Sequence, residues 1–170
     1  HGLTGIGKAA GSAFMVNSFH SGGAGARPAQ DGLSATPFPS GVRNVPVEAT
    51  EAITPLVIWR KELRQDSGGP GRYRGGLGQV MEVGSCENAP FGIFARFERV
   101  RHPARGRKGG GPGAPGRLSL ASGTVLKAKG LSVVPPNDRL VIEMPGGGGM
   151  GVPTEREPDA LRNDVRLGYV

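Results

Sequence analysis

The clearest alternation of apolar and polar positions places Phe91, Ile93, Ala95 and Phe97 opposite Gly92, Phe94, Arg96 and Glu98. A period of two marks a strand with one buried face, so a strand is predicted over 91–98. In 53–63, Val57, Trp59, Lys61 and Leu63 fall on one side and Leu56, Ile58, Arg60 and Glu62 on the other. Apolar residues on both sides at its start predict a strand that enters a core and then leaves it. A further strand is predicted over 77–83. Another spans 139–144, where Leu140, Ile142 and Met144 face away from Arg139, Val141 and Glu143. Shorter strands are expected at 117–120, 125–127 and 131–134. Near 158–167 the period changes. Pro158 suits a first helical position, Ala160, Leu161, Val165 and Leu167 form an apolar stripe, and Gly168 suits the terminating position. Residues 1–41 read as loops and short extended pieces around an apolar patch at Phe14, Met15 and Val16. The expected fold class is therefore mainly β (α+β): short antiparallel strands joined by glycine-rich loops, with one C-terminal helix.

Composition changes this picture in one respect. The 170 residues include 31 glycines and 15 prolines, a bias that without apolar segments would indicate disorder. Here the glycines lie between runs of valine, isoleucine, leucine and phenylalanine, which supports ordered, loop-rich β structure. One domain, or part of a larger one, fits this length. Nothing at the start resembles a signal peptide, no run approaches a membrane-spanning length, and Cys86 is the only cysteine. The expectation is a soluble, cytoplasmic protein.

The formal charge is +7, and 16 of the 21 basic residues are arginine. Arg99, Arg101, Arg105, Arg107 and Lys108 concentrate part of it in one run. An arginine–glycine RNA-binding protein is one class consistent with that run. Few aromatics are interleaved for base stacking, so a solvated face or a surface meeting an acidic partner is preferred. The low-complexity segment 109–116 is expected to be an exposed loop.

Candidate chemistry is sparse. Gly2, Gly7 and Lys8 match half of a phosphate loop, but Ala9 stands where a hydroxyl would hold magnesium. Gly146, Gly148 and Gly151 match a dinucleotide fingerprint, but Pro153 and a polar run follow instead of a helix start. No metal-ligating spacing is visible around His1, His20 or His102. His20, Arg27 and Asp31 are the candidate catalytic residues: His20 for acid–base chemistry, with an ordinary loop hydrogen bond as the alternative, and Arg27 and Asp31 to line a substrate cleft, where an arginine would neutralise an anionic intermediate.

The most informative stretch runs from Ser67 to Gly78, with six glycines and a proline in twelve residues. It is expected to be an ordered loop whose glycines adopt positive φ. Arg72 and Arg74 project from it as candidates for binding a carboxylate or phosphate of a substrate, or for pinning the loop itself.

Three stretches together resemble the hydantoinase B/oxoprolinase family, the B-type subunits of ATP-dependent hydantoinases, 5-oxoprolinases and related carboxylases. They are Gly22–Pro28 with Asp31 and Gly32, then Asp66–Gly78, then Pro145–Gly151 followed by Asp164, Val165, Arg166, Gly168, Tyr169 and Val170. Met150 stands where the resemblance implies an aromatic, and Val152-Pro153 replaces Asp-Pro. The resemblance implies that 1–170 is the C-terminal portion of such a subunit, with a glycine-rich segment at 1–50, a β-rich core at 51–145, and a glycine loop and helix at 146–170. It implies an A-type partner subunit or domain that binds ATP with magnesium, and a divalent metal held by an N-terminal part of the B-type chain. No cofactor or metal ligand is expected on the present residues. The implied activity is the opening of a small cyclic amide such as a hydantoin or 5-oxoproline, with the isolated chain inactive. An interface module of a related carboxylase is the alternative.

Overall fold

The computed structural model describes residues 2–6, 13–36 and 45–170. Among these residues are eight strands: β1 (Gly2–Ile6), β2 (Ala13–Asn17), β3 (Leu56–Leu63), β4 (Gln79–Ser85), β5 (Phe91–Arg96), β6 (Arg117–Leu120), β7 (Lys129–Val134) and β8 (Leu140–Glu143). Two helices accompany them among the described residues, α1 (Val47–Glu51) and α2 (Pro158–Arg166), with a 3-10 turn at Pro153–Glu155. The strands form two antiparallel sheets, ordered β2-β1-β5-β7 and β3-β4-β8-β6.

One hydrophobic cluster joins the sheets. Leu3, Phe91, Ile93, Ala95 and Val134 enter it from the first, and Leu56, Met81, Val83, Leu118, Leu120, Leu140 and Ile142 from the second. Each strand sends alternate residues inward, as the pleat requires. The mainly β architecture and the late helix agree with the pattern along the chain. The strand predicted from residue 53 begins at Leu56, because α1 and its turn occupy the preceding residues. Five residues are too few for α1 to show a helical period. Strands β1 and β2 lie in the segment read as loops and short extended pieces. The expected strand at 125–127 reduces to a single bridge between Val125 and Ser119. In β3 the strict alternation fails because the register shifts between Ile58 and Arg60, a bulge that turns Trp59 outward.

Beyond the sheets, the glycine-rich segments pack against one another. Gly23 and Ala26 donate their N–H groups to the carbonyls of Pro145 and Gly148, at 2.9 and 2.8 Å. Gly32 and Ala35 donate to Arg74 and Leu77, and Gly146 and Gly149 to Ala114 and Gly111. Partners recur every three residues, the period of an extended polyproline II chain. Residues 145–149 run through the middle, bonded to segments 22–26, 69–76 and 107–114.

This arrangement corrects two expectations. The segment 109–116 is not simply an exposed loop: Gly113 and Gly116 are buried, and Gly111 and Gly113 bond within the bundle. Nor do the glycines of 68–78 adopt positive φ, which beside the bundle occurs at Ala35 (49°), Asp66 (55°), Lys108 (50°), Gly109 (88°) and Gly151 (77°) among others. They are glycines because the strands approach too closely for a Cβ. At Gly75 a Cβ would overlap the Gly147 carbonyl, and at Gly147 it would overlap that of Ala24. The collagen axis excludes side chains for the same reason.

Helix α2 is set against this bundle by its polar side. Asp164 is its buried residue, while Leu161, Val165 and Leu167 of the apolar stripe are exposed. Among the described residues no helix is long and apolar enough to cross a membrane.

Candidate functional site

A cleft of about 920 Å³ lies between the outer face of the first sheet and one end of the glycine bundle. Thr4, Met15 and Phe94 form its sheet wall, and Gly22, Gly23 and Gly146 its bundle wall. Ser18 and His20, on the segment leaving β2, line it as well. Ser18 Oγ and His20 Nε2 are hydrogen-bonded. Burial, reinforced by the positive charge of Lys61, lowers the His20 pKa to about 4. The imidazole is therefore neutral at neutral pH, a proton acceptor weakened by its surroundings. Arg96 and Arg99 bring positive charge to the same cleft, and Glu98 a negative one. Glu98 is paired with Lys129 at 2.7 Å.

Of the candidate site residues His20, Arg27, Asp31, Arg72 and Arg74, His20 alone lines this cleft, so Arg27 and Asp31 are not where the sequence led us to expect them. Asp31 belongs to a separate cluster. Its Oδ1 accepts from the Arg74 backbone N–H at 2.7 Å, and its two oxygens accept from Arg156 Nη1 and Nη2 at 2.9 and 2.8 Å. Arg156 Nη2 also donates to Asp164 Oδ2 at 2.6 Å, and Arg74 Nε donates to the same oxygen at 3.3 Å. The Arg74 side chain donates to the Gly75 carbonyl and lies 5.1 Å over the Tyr169 ring. Two arginines and two aspartates thus bind the bundle, the 3-10 turn and α2 into one unit. Burial would raise the Asp31 pKa. The Arg156 hydrogen bonds, the Arg74 N–H and the two guanidinium charges outweigh it and hold the carboxyl below its ordinary value.

Arg72 is exposed, 5.7 Å from the Tyr73 ring, and its carbonyl accepts from Arg156 Nη1. Arg27 is exposed and donates to the Asp31 carbonyl at 3.4 Å. The strand β1 occupies the start of the phosphate-loop half-match, and its Gly7, Lys8 and Ala9 lie outside the described residues. The dinucleotide half-match is bundle backbone, and the next helix begins only at Pro158. Among the described residues no cluster of three or more histidine, cysteine, aspartate or glutamate side chains could hold a metal ion. The divalent metal implied by the resemblance has no ligand set on these elements.

Ser18 and Arg156 are the residues that reading the sequence passed over. The spacing Ser18-Phe19-His20 was a usable signal, since i and i+2 share one side of an extended chain. Arg156, in the run Thr154-Glu155-Arg156-Glu157, carried none.

The signature glycines form the bundle centre, and the model of the Hydantoinase B/oxoprolinase family matches residues 2–153. The chain belongs to the hydantoinase B/oxoprolinase family. It is 31% identical over 153 residues to a protein of Pseudomonas sp. (strain NS671) named as a D-/L-hydantoinase B-type subunit, covering 86% of this chain and 26% of that one. The ATP-dependent caprolactamase from Pseudomonas jessenii superposes with a TM-score of 0.84 at 26% identity, over 99% of this chain and 31% of the other. Nucleotide-free acetone carboxylase superposes with a TM-score of 0.78 at 25% identity, covering 99% and 27%. The present chain thus spans about a quarter of the length of that Pseudomonas hydantoinase relative. Within the hydantoinase B fold, the Asp66–Gly78 stretch supplies the bundle's close contacts and Asp164 its clasp. At the position of the departure, Met150 exchanges both backbone hydrogen bonds with Tyr73, at 2.9 Å each. Backbone alone makes that contact, so the bridge does not depend on an aromatic side chain at 150.

Proposed function

We propose that this chain forms the C-terminal, β-rich part of the B-type subunit of an ATP-dependent amidohydrolase that opens a cyclic amide such as a hydantoin or 5-oxoproline. The observation that carries this reading is the match over residues 2–153 together with the superposition on a caprolactamase along nearly the whole chain. An A-type partner binds ATP with magnesium and activates the amide. The B-type part receives the activated ring, and a divalent metal, if used, is held by residues outside this chain.

The cleft is the region where this chain would meet the ring. Its apolar wall at Met15 and Phe94 suits the carbon skeleton. Arg96 and Arg99 would favour the anionic species formed as the ring opens. Ser18 and His20 would hydrogen-bond the leaving nitrogen or the attacking water, His20 accepting a proton at an imidazole nitrogen. Asp31, Arg74 and Arg156 hold the bundle wall in place, and Arg72 and Arg27 face solvent away from the ring. The likeness to acetone carboxylase supports carboxylation as a second reading, on the same scaffold.

The test is a chimera in which this chain replaces the matching C-terminal region of the caprolactamase chain, assayed with its partner subunit and magnesium–ATP. ATP-dependent ring opening that falls at least tenfold in His20→Gln supports the reading. A folded chimera with no turnover on caprolactam, a hydantoin or 5-oxoproline refutes it.

A further inference from the structure

Four arginines and a lysine that the ring-opening chemistry leaves unused meet at the end of the glycine bundle away from the cleft. The central run continues there from Gly148 to Gly151, and three segments bond to it. Ala26, Arg107, Tyr73 and Arg72 donate their backbone N–H groups to the carbonyls of Gly148, Gly149, Met150 and Gly151, at 2.8, 2.9, 2.9 and 3.3 Å. The Arg105 carbonyl presses on Gly148, where an added Cβ would overlap it. Successive residues of such an extended chain rise ~3 Å, so Arg27, Arg72, Arg105 and Arg107 leave the backbone within about 10 Å of one another along the bundle axis. Lys108 follows in a tight turn that the Gly110 N–H closes on the Arg107 carbonyl at 2.9 Å. Its two central residues have positive φ, 50° at Lys108 and 88° at Gly109. Glycine or asparagine relaxes such a position, and here a cation occupies it instead.

All five side chains are exposed. Among the described residues none of them has a carboxylate partner. The exposed Arg60, Arg117, Arg139 and Arg162, by contrast, pair with Glu62, Glu143, Glu82 and Asp159. Asp31, close to Arg27 in sequence, has both oxygens taken by Arg156. No acidic residue lies between Glu98 and Asp138 to offset the run locally. Charges separated by about one Debye length (~8–10 Å) are incompletely screened, so their potentials add.

We propose that this end of the bundle is an interaction surface for an extended, aspartate- or glutamate-rich segment of another polypeptide. It stands apart from the cleft and from the ring-opening reading. The surface is open: neither the cleft nor the smaller cavity beside Trp59 includes any of the five residues, whereas small ligands are held in concave sites. Arg105 and Arg107 are two residues apart on a non-helical run, and an extended partner presents alternate carboxylates at a matching repeat of about 6.7 Å. The planar fork of arginine suits a carboxylate, and the backbone bonds to 148–151 hold the forks in place. Single-stranded nucleic acid would need aromatic platforms for its bases. Tyr73 is the one aromatic in these three segments, and the Arg72 guanidinium already lies 5.7 Å from its ring centre.

The test is fluorescence anisotropy of a labelled peptide of ten glutamates titrated with the whole chain in low salt. Saturable binding is expected, weakening at least tenfold on going from 50 to 300 mM sodium chloride. Replacing Arg72, Arg105 and Arg107 together by glutamine should weaken it at least tenfold in low salt, at a Tm within about 2 °C of the parent because these side chains face water. Arg27→Gln with Lys108→Gln should weaken it at least threefold. Removing the same charge elsewhere, as Arg60→Gln with Arg117→Gln and Lys129→Gln, should change affinity less than twofold. No binding, or an equal loss in the two triple variants, overturns the proposal, since the latter would reduce it to net charge. Tighter binding of a ten-nucleotide oligouridylate or of tripolyphosphate than of the glutamate peptide also overturns it, assigning the surface to nucleic acid or to free phosphate.

Discussion

Replacing Arg156 by methionine tests the claim that a buried ion cluster, and not an apolar interface, fastens α2 to the glycine bundle. The substitution removes both bonds to Asp31, the 2.6 Å bond to Asp164, and the bond to the Arg72 carbonyl. Methionine keeps much of the side-chain volume, so the change is chiefly electrostatic. Asp164, whose side chain is 5% exposed, is left with Arg74 alone at 3.3 Å. Removing one partner of a buried pair costs about 3–5 kcal/mol. Asp31 is about one-third exposed and can rehydrate, and Arg74 still neutralises part of Asp164, so the lower end of that range applies. A loss of about 3 kcal/mol corresponds to a Tm decrease of about 6–12 °C in a chain of this size. Acid should shrink the difference. Asp31 has a lowered pKa in the folded state. The stability it contributes is in place above its unfolded value, near 4, and is lost as pH falls through its folded value. Thermal unfolding followed by circular dichroism at pH 7 and at successively lower pH reads both effects. Limited proteolysis should cut the variant first within 152–170. A variant melting within 1 °C of the parent at pH 7, or one whose deficit stays unchanged until the parent itself unfolds in acid, would refute the electrostatic clasp.

The bundle predicts an uneven response to adding one carbon. Gly75→Ala and Gly147→Ala should each cost more than about 3 kcal/mol in urea unfolding, because the new Cβ overlaps a backbone carbonyl. Gly25→Ala, whose nearest neighbour would be the Gly148 oxygen at 3.8 Å, should stay within about 0.5 kcal/mol of the parent. His20 should titrate near pH 4 by NMR. Because its folded pKa is below the ordinary 6.5, its contribution is complete above pH 6.5 and lost between pH 6.5 and 4, and His20→Gln should flatten the stability profile in that window. Leu161→Lys and Val165→Lys should leave the Tm of the isolated chain within about 2 °C, since both side chains already face water; a larger fall would mean the apolar stripe of α2 is packed inward.

The strands were legible from residue order wherever one face is buried in a single core. Phe91, Ile93 and Ala95 in β5, and Leu140 and Ile142 in β8, alternate because the pleat alternates, and nothing distant is needed to see it. The ends of α2 were legible for a similar local reason, since Pro158 and Gly168 act on their own backbone. The glycine signature identified the family but not the reason for its glycines. Crowding at Gly75 comes from Gly147, and crowding at Gly147 comes from Ala24, residues far apart in the chain that only the tertiary structure brings together. Which side of α2 meets the protein was not legible, because amphipathicity shows that a helix has two faces without showing which is seated. Here Arg74 and Arg156, distant in sequence, create a polar seat that draws Asp164 inward and leaves Leu161 and Val165 outside. The cleft was equally invisible along the chain, because a concave surface belongs to no segment. It exists where the end of the bundle stands beside the outer face of the first sheet, and that distance is fixed by packing alone.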